Sequence, residues 1–308
     1  MEVFTCEGCG AVLTAPLSRV PFPVYAHASY GNGHPMPVLM ASGTYAADDD
    51  PAGDTRLIVI APGDAVGTAL VQRREYGACC GIDGRYGPNV TCAGCGRKVA
   101  TRVDDCSLWQ ATWLEPHAVR AVPAGPDRPV AGWAELTARW CATEPLDQSG
   151  EWDPRWEAEA SVTLAHLHHL AQGALITLPG GPFADAFRPL LGELPPPAPG
   201  PALRAVLAGP GLPLSGPLPD IAVVPRHPQT GEAWPTPPGV AAAPLAAAYW
   251  THFAYLRERL IRPAAGRLPA DVERDDLLPP HPRRPVLLVW GAYATALERL
   301  GHAPVNGR

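Results

Sequence analysis

The 308-residue chain has a single lysine, Lys98, against 23 arginines, and only three methionines and five phenylalanines. No phosphate-binding P-loop is legible: the glycine-rich stretch 31–33 lacks both the lysine and the following hydroxyl. The arginine bias, with abundant Ala, Pro and Gly, fits the coding habit of a GC-rich bacterial genome. Charge of one sign is also missing. The net charge is −6, and residues 1–140 carry 11 basic and 14 acidic groups against 13 and 16 in 141–308. Neither part reads as a basic nucleic-acid module or an acidic tail. No long hydrophobic run is present: the best uncharged stretch, 239–256, is broken by Pro244, Thr251 and His252, and seven of its 18 residues are alanine. That pattern predicts a buried helix and no membrane span. The opening MEVFTCEGCG has neither the basic nor the apolar region of a secretory signal, so a soluble cytoplasmic protein is expected. Nucleophile and dinucleotide signatures (GxSxG, HExxH, a helix-opening GxGxxG) are absent.

What is present is proline, tryptophan and cysteine. Nine tryptophans with many Leu and Val are enough to build a core. Period-two and short apolar runs predict strands at 3–5, 11–14, 57–60, 68–72, 99–103 and 107–114. From about residue 130 the apolar spacing becomes helical. Helices are expected over 131–142, from Asp153 to a stop before Pro179, over 244–261 and over 285–300, the last with a competing strand at 286–289. Residues 179–240 hold 17 prolines and are expected to cross between helices in short pieces, among them 202–208 and 221–224. The fold class is therefore α+β. A β-rich domain over 1–125 carries a large insertion at about 17–89, and a proline-rich, mainly helical domain follows over 126–308.

The strongest chemical signal is a repeated motif, C-x-G-C-G, at Cys6-Glu7-Gly8-Cys9-Gly10 and Cys92-Ala93-Gly94-Cys95-Gly96. Two residues between cysteines let a tight turn aim both sulfurs at one point. Glycine after the second cysteine accepts the positive φ that turns the chain back. In a reducing compartment such pairs favour a metal over a disulfide. The two motifs, with about ten residues around each, resemble the rubredoxin-like knuckles of zinc ribbons. The resemblance implies a closed, structural zinc site of Cys6, Cys9, Cys92 and Cys95. It departs from ordinary ribbons in one respect: 82 residues separate Cys9 from Cys92, so closing the site costs loop entropy that metal binding must offset.

Other candidates are more open. Cys79 and Cys80 sit in a glycine-flanked loop. With His27, His34 and Asp83 they could make an open site that activates water, or they are small residues of a tight loop. Cys106 and Cys141 read as buried thiols. His166 and His169, with His168 between, have a spacing that can hold a metal, yet no carboxylate stands one turn before them; the polar face of a packed helix is the alternative. The aspartates at 48–50 read as a solvated loop, and Asp104 and Asp105 as partners of arginine or loop amides. The expected function is a zinc-stabilised protein that binds another protein or regulates it. The alternatives are a metal- or thiol-dependent enzyme using Cys79 or Cys80 with His27 or His34, and a nucleic-acid-binding ribbon. The last is disfavoured, because Arg97, Lys98 and Arg102 are few.

Overall fold

A computed structural model describes residues 1–31, 36–48, 57–71, 81–138, 145–146, 150–214, 216–259 and 284–304. The protein is α+β, with the first part β-rich and the helices concentrated in the second. The chain divides into two units, residues 1–131 with 228–231, and 132–227 with 232–308.

In the first unit β1 (Glu2–Cys6) pairs antiparallel with β9 (Val119–Pro123). A second sheet holds β2 (Ser18–Arg19), β3 (Thr44–Asp48), β4 (Leu57–Ile60), β5 (Thr68–Leu70), β6 (Val90–Cys92), β7 (Lys98–Val103) and β8 (Ala111–Leu114). Its order is β2-β3-β4-β8-β7-β6-β5, antiparallel except between β2 and β3. Strands β2 to β5 all lie between the two cysteine motifs, yet they share this sheet with the second motif's hairpin.

Strand alternation gives the sheet two apolar faces. On one, Tyr45, Ile58, Ile60, Val90, Ala100 and Leu114 meet Phe4, Leu13 and Leu17. On the other, Trp113 carries the rings of Phe22 and His27, and the Trp109 indole donates to the Tyr25 carbonyl at 3.0 Å. Residues 11–14, expected as a strand, form isolated bridges to Thr5 and Ala65 instead.

The second unit is organised around α2 (Pro154–Ala171), after the short α1 (Trp133–Ala138). The carboxylate of Asp153 caps α2 by accepting from the Arg155 N–H at 2.8 Å, with Pro154 in the first turn. Twelve of its 18 residues are buried, on all sides of the helix. One side meets α5 (Trp290–Arg299), where the Val289 N–H donates to Ser161 Oγ at 2.9 Å. Another meets a parallel sheet through the Thr163 hydroxyl, which donates to the Pro244 carbonyl.

That sheet runs β10 (Ile176–Thr177), β11 (Leu203–Leu207), β12 (Ile221–Arg226), β13 (Ala241–Ala246), with α3 (Pro182–Gly192) between β10 and β11. The proline-rich stretch thus supplies α3 and two strands. Two prolines of the sheet fall where no ladder bond is lost, while Pro189 sits inside α3. Pro225 lies beyond Val223, the last β12 residue paired with β11, and Pro244 lies on the edge strand β13.

Two helices start later than the spacing predicts. Residues 241–246 are strand, and α4 (Ala247–Arg259) begins only afterwards. The alanines that favour a helix in isolation are here the small side chains that let α2 lie close to the sheet, and packing outweighs propensity. Residues 285–289 are extended because the N–H groups of Leu287 and Val289 are taken by Glu157 and Ser161 of α2.

Candidate metal centre

Each cysteine motif forms the same turn. The Gly10 N–H donates to the Cys6 carbonyl and the Gly96 N–H to the Cys92 carbonyl, both at 2.8 Å. The Cys6 N–H donates to Ala11 and the Cys92 N–H to Arg97, again both at 2.8 Å. Gly10 and Gly96 sit at φ 75° and 74°, the left-handed region that a side chain disfavours.

The surroundings repeat as well. After the first turn the chain runs back along β1, and the Leu13 N–H donates to Phe4. Thr14 then bridges Ala65, and residues 65–67 lead into β5, where Thr68 pairs with Cys92. After the second turn β7 runs back along β6, and the Glu115 N–H donates to Val99. Residues 115–118 lead into β9, where Val119 pairs with Cys6. The return arm of each turn therefore binds the segment that feeds the strand beside the other turn. Last, the Glu7 N–H donates to Ala118 and the equivalent Ala93 N–H to Gly67, both at 2.9 Å. Two hairpins with 82 residues between them are held face to face by reciprocal sheet pairing, before any metal is considered.

The result brings the four sulfurs together. Cys6 Sγ lies 3.6 Å from Cys95 Sγ, Cys9 Sγ lies 3.6 Å from Cys92 Sγ, and all four lie within 4.8 Å of one another. Four thiolates at about 2.3 Å around a tetrahedral ion would stand about 3.8 Å apart, so the set fits one metal ion. Cys6 and Cys92 are 2% and 1% exposed and belong to the hydrophobic cluster of the first unit, while Cys9 and Cys95 face outward. Burial opposes ionisation of Cys92. The N–H groups of Cys95 and Gly94 and the thiols of Cys9 and Cys6 outweigh it and take its pKa down to about 7. At Cys9 the Ala11 N–H favours the thiolate, but the thiols of Cys92, Cys95 and Cys6 and partial burial push the pKa up to about 12. The turn therefore favours the Cys92 thiolate, and at Cys9 a cation is needed to ionise the thiol. The Arg97 side chain lies over Gly8 of the opposite turn, where its charge offsets that of a metal–tetrathiolate.

The other sequence candidates separate. His34, Cys79, Cys80, Cys141 and the aspartates at 49 and 50 lie outside the described residues. His27 is exposed and stacks on Trp113 at 5.0 Å between ring centres. Asp83 pairs with Arg85 at 2.8 Å and Arg102 with Asp104 at 3.3 Å. Asp105 is buried and accepts from the Ser107 N–H and hydroxyl. Cys106 is buried. His166 lies on α2. It is largely buried, and burial, with Arg226 and His169 nearby, lowers its pKa to about 4.

The sequence reading takes Glu157 and Glu159 only as acids favouring the positive end of α2, whereas both are buried carboxylates. Glu159 accepts from one Arg226 nitrogen through both its oxygens at 2.7 Å, and Glu157 binds Arg284. The signal was available: Glu157 and Glu159 flank Ala158 on a helix whose neighbours on every side are apolar or small. Among the described residues no helix is long and apolar enough to cross a membrane. No family model, no curated protein and no solved structure matches the chain.

Proposed function

We propose that the protein is a zinc-stabilised cytoplasmic protein whose first unit is a structural zinc ribbon and whose role is to bind another protein. The observation that carries this reading is the closed set of four sulfurs at ligand spacing, with no fifth donor grouped with them among the described residues. A full thiolate shell favours zinc and leaves no position for substrate. Bound there, zinc supplies cross-linking of the two hairpins. This chain's own residues do the remainder: the N–H groups of Gly94 and Cys95 support the Cys92 thiolate, and β5 and β9 hold the turns in register.

The contact surface is the rim around these turns. β5 is the last strand of its sheet, and Leu70 on it is 51% exposed, with Val66 and Val12 exposed nearby. The Val66 N–H donates to Leu13, next to Val12, so the two side chains sit on neighbouring segments. An edge strand with apolar residues beside it suits an added strand from a partner.

Metal analysis of the purified full chain tests the site, with one zinc per chain expected and none after Cys6→Ser with Cys92→Ser. A photo-crosslinker at Leu70 tests the surface. A discrete protein adduct that disappears with Val66→Glu, at unchanged zinc content, is expected. A zinc-free native chain overturns the ribbon, and an adduct indifferent to Val66→Glu overturns the surface.

A further inference from the structure

The segment between α3 and β11 holds five prolines in seven residues, at 195, 196, 197, 199 and 201. Each proline fixes its own φ near about −65° and drives the residue before it to extended backbone. Pro195 and Pro196 are under both constraints, so the segment starts in the polyproline II conformation before any contact is made. Residues 195–198 belong to no helix, strand or turn, and residues 195–200 are all exposed. Both ends are held. The Leu194 N–H donates to Leu191 at 3.3 Å and the Leu203 N–H to Leu175 at 2.7 Å, and between them the Ala198 N–H donates to Gly173 at 2.8 Å. We propose that residues 194–199 dock onto a partner protein that recognises polyproline through an aromatic groove, a contact independent of the zinc reading and of the edge strand in the first unit.

Three features support the assignment. The first is that the run does nothing inside the fold. Prolines elsewhere in 179–240 have internal work: Pro182 opens α3, the Pro210 carbonyl accepts from the Tyr255 hydroxyl at 2.7 Å, and the Pro237 carbonyl accepts from the Val240 N–H at 3.1 Å. The carbonyls of 195–200 accept from no described residue, and none of these six residues is buried. The second is chemistry. Proline offers a carbonyl and an apolar ring but no N–H, and the one N–H within 195–199 is taken by Gly173. The segment is therefore a row of acceptors on an apolar ridge. A groove of Tyr and Trp supplies the complement, flat apolar faces with an O–H or N–H at the edge. Residues 194–203 carry no ionisable side chain, so the segment offers a partner no charge to pair with. The third is preorganisation. An ordinary loop loses backbone freedom when it is bound; here the proline rings and the three anchoring bonds have removed most of that freedom before a partner arrives.

The test is fluorescence anisotropy of a dye-labelled WW domain selective for consecutive prolines, titrated with the full chain. Saturable binding is expected, with the same affinity within twofold at about 0.05 and about 0.5 M NaCl, since no ion pair is there to be screened. Affinity should fall at least tenfold when Pro196→Ala and Pro197→Ala are combined, and remain unchanged in Pro237→Ala, an exposed proline elsewhere. Pro196 and Pro197 are exposed, so their substitution leaves the fold intact, and far-ultraviolet circular dichroism checks this. Wild-type chain that does not bind, an affinity that is the same in the double variant, or one that falls tenfold with salt overturns the proposal.

Discussion

In the first unit Cys6 meets Cys95 across 89 positions of chain; in the second, Glu157 meets Arg284 across 127. Both contacts tie remote segments together at a buried polar point, but the chemistry differs. In the thiol cluster the Cys9 pKa is pushed up to about 12, so that thiol stays protonated until a cation arrives. The Glu157 carboxylate is 0% exposed and already satisfied, by the Arg284 guanidinium and by the Leu287 N–H at 2.8 Å. On the zinc reading the first unit's tie is completed by an ion from solution, whereas the second unit carries its own counter-charge. Stripping the metal is the largest perturbation available. Thiolate binding of zinc is worth about 10 kcal/mol in small domains, comparable to the whole stability of a domain. A strong chelator should abolish the first unit's unfolding transition in calorimetry while the second unit's midpoint stays in place. Simultaneous loss of both transitions would show that the units are not separable in this way.

The reverse experiment removes the second unit's tie. Glu157→Ala leaves the partly exposed Arg284 guanidinium with Glu151 as its remaining described carboxylate partner, and the Leu287 N–H without its acceptor. Breaking a buried pair on one side costs about 3–5 kcal/mol. The expected result is a lowered midpoint for the second unit with the metal content of the first unchanged. Glu157→Gln keeps an acceptor for the Leu287 N–H and should cost less. If Gln and Ala behave alike, the charge and not the hydrogen bond carries the tie.

The two units also differ in how far their sequences announce them. The C-x-G-C-G turns are local: five residues define the hydrogen bonds at Cys6 and Gly10, so reading one motif is enough to expect its shape. Strand 57–60 was likewise legible as LIVI closed by a proline–glycine turn. The reciprocal weave of β5 and β9 was not, because Thr68 with Cys92 and Val119 with Cys6 are partners chosen by the sheet and not by spacing. In the second unit the parallel sheet was hidden for two reasons. Its strands pair across crossovers, and Pro225 read as the end of a short piece and Pro244 as the start of a helix, although both stand at positions that need no N–H. The start of α4 was misplaced because alanine at 241–247 serves either a helix or a tightly covered strand, and only the neighbouring α2 decides. The hydrogen bond between His169 and His302 carried no signal at all, since the two lie 133 positions apart.

Acid distinguishes the units by a different group in each. In the first, protons compete with the metal for thiolates. In the second, His166 has a folded pKa of about 4 against 6.5 for the free side chain. Its folded pKa is depressed, so the unfolded chain binds the extra proton first. Stability is full above about pH 6.5, falls as pH drops toward 4, and is then level. The window spans about 2.5 pH units, a loss of about 3 kcal/mol at most. His166→Asn, which cannot charge, should flatten the acid slope of the second unit between pH 6.5 and 4 and leave metal release from the first unchanged. An unaltered slope in urea titrations at those two pH values would assign the acid sensitivity to another group.

The finest comparison lies inside the first unit, between its two turns. Gly10 and Gly96 have the same φ within one degree, and a Cβ at either would meet nothing within 4 Å. Substitution by alanine therefore tests backbone strain alone. A left-handed residue with a side chain costs about 1–2 kcal/mol. Gly10→Ala and Gly96→Ala should each weaken the metal-loaded unit by about that much, and by equal amounts, measured as the shift of its thermal midpoint. Equality follows from the repeated hydrogen bonds at 2.8 Å and from the matching caps by Ala118 and Gly67. An unequal pair of shifts would mean that one turn is held more firmly by its flanking strand. β9 pairs with β1 over five residues while β5 pairs with β6 over three, so Gly10→Ala would then be the milder change.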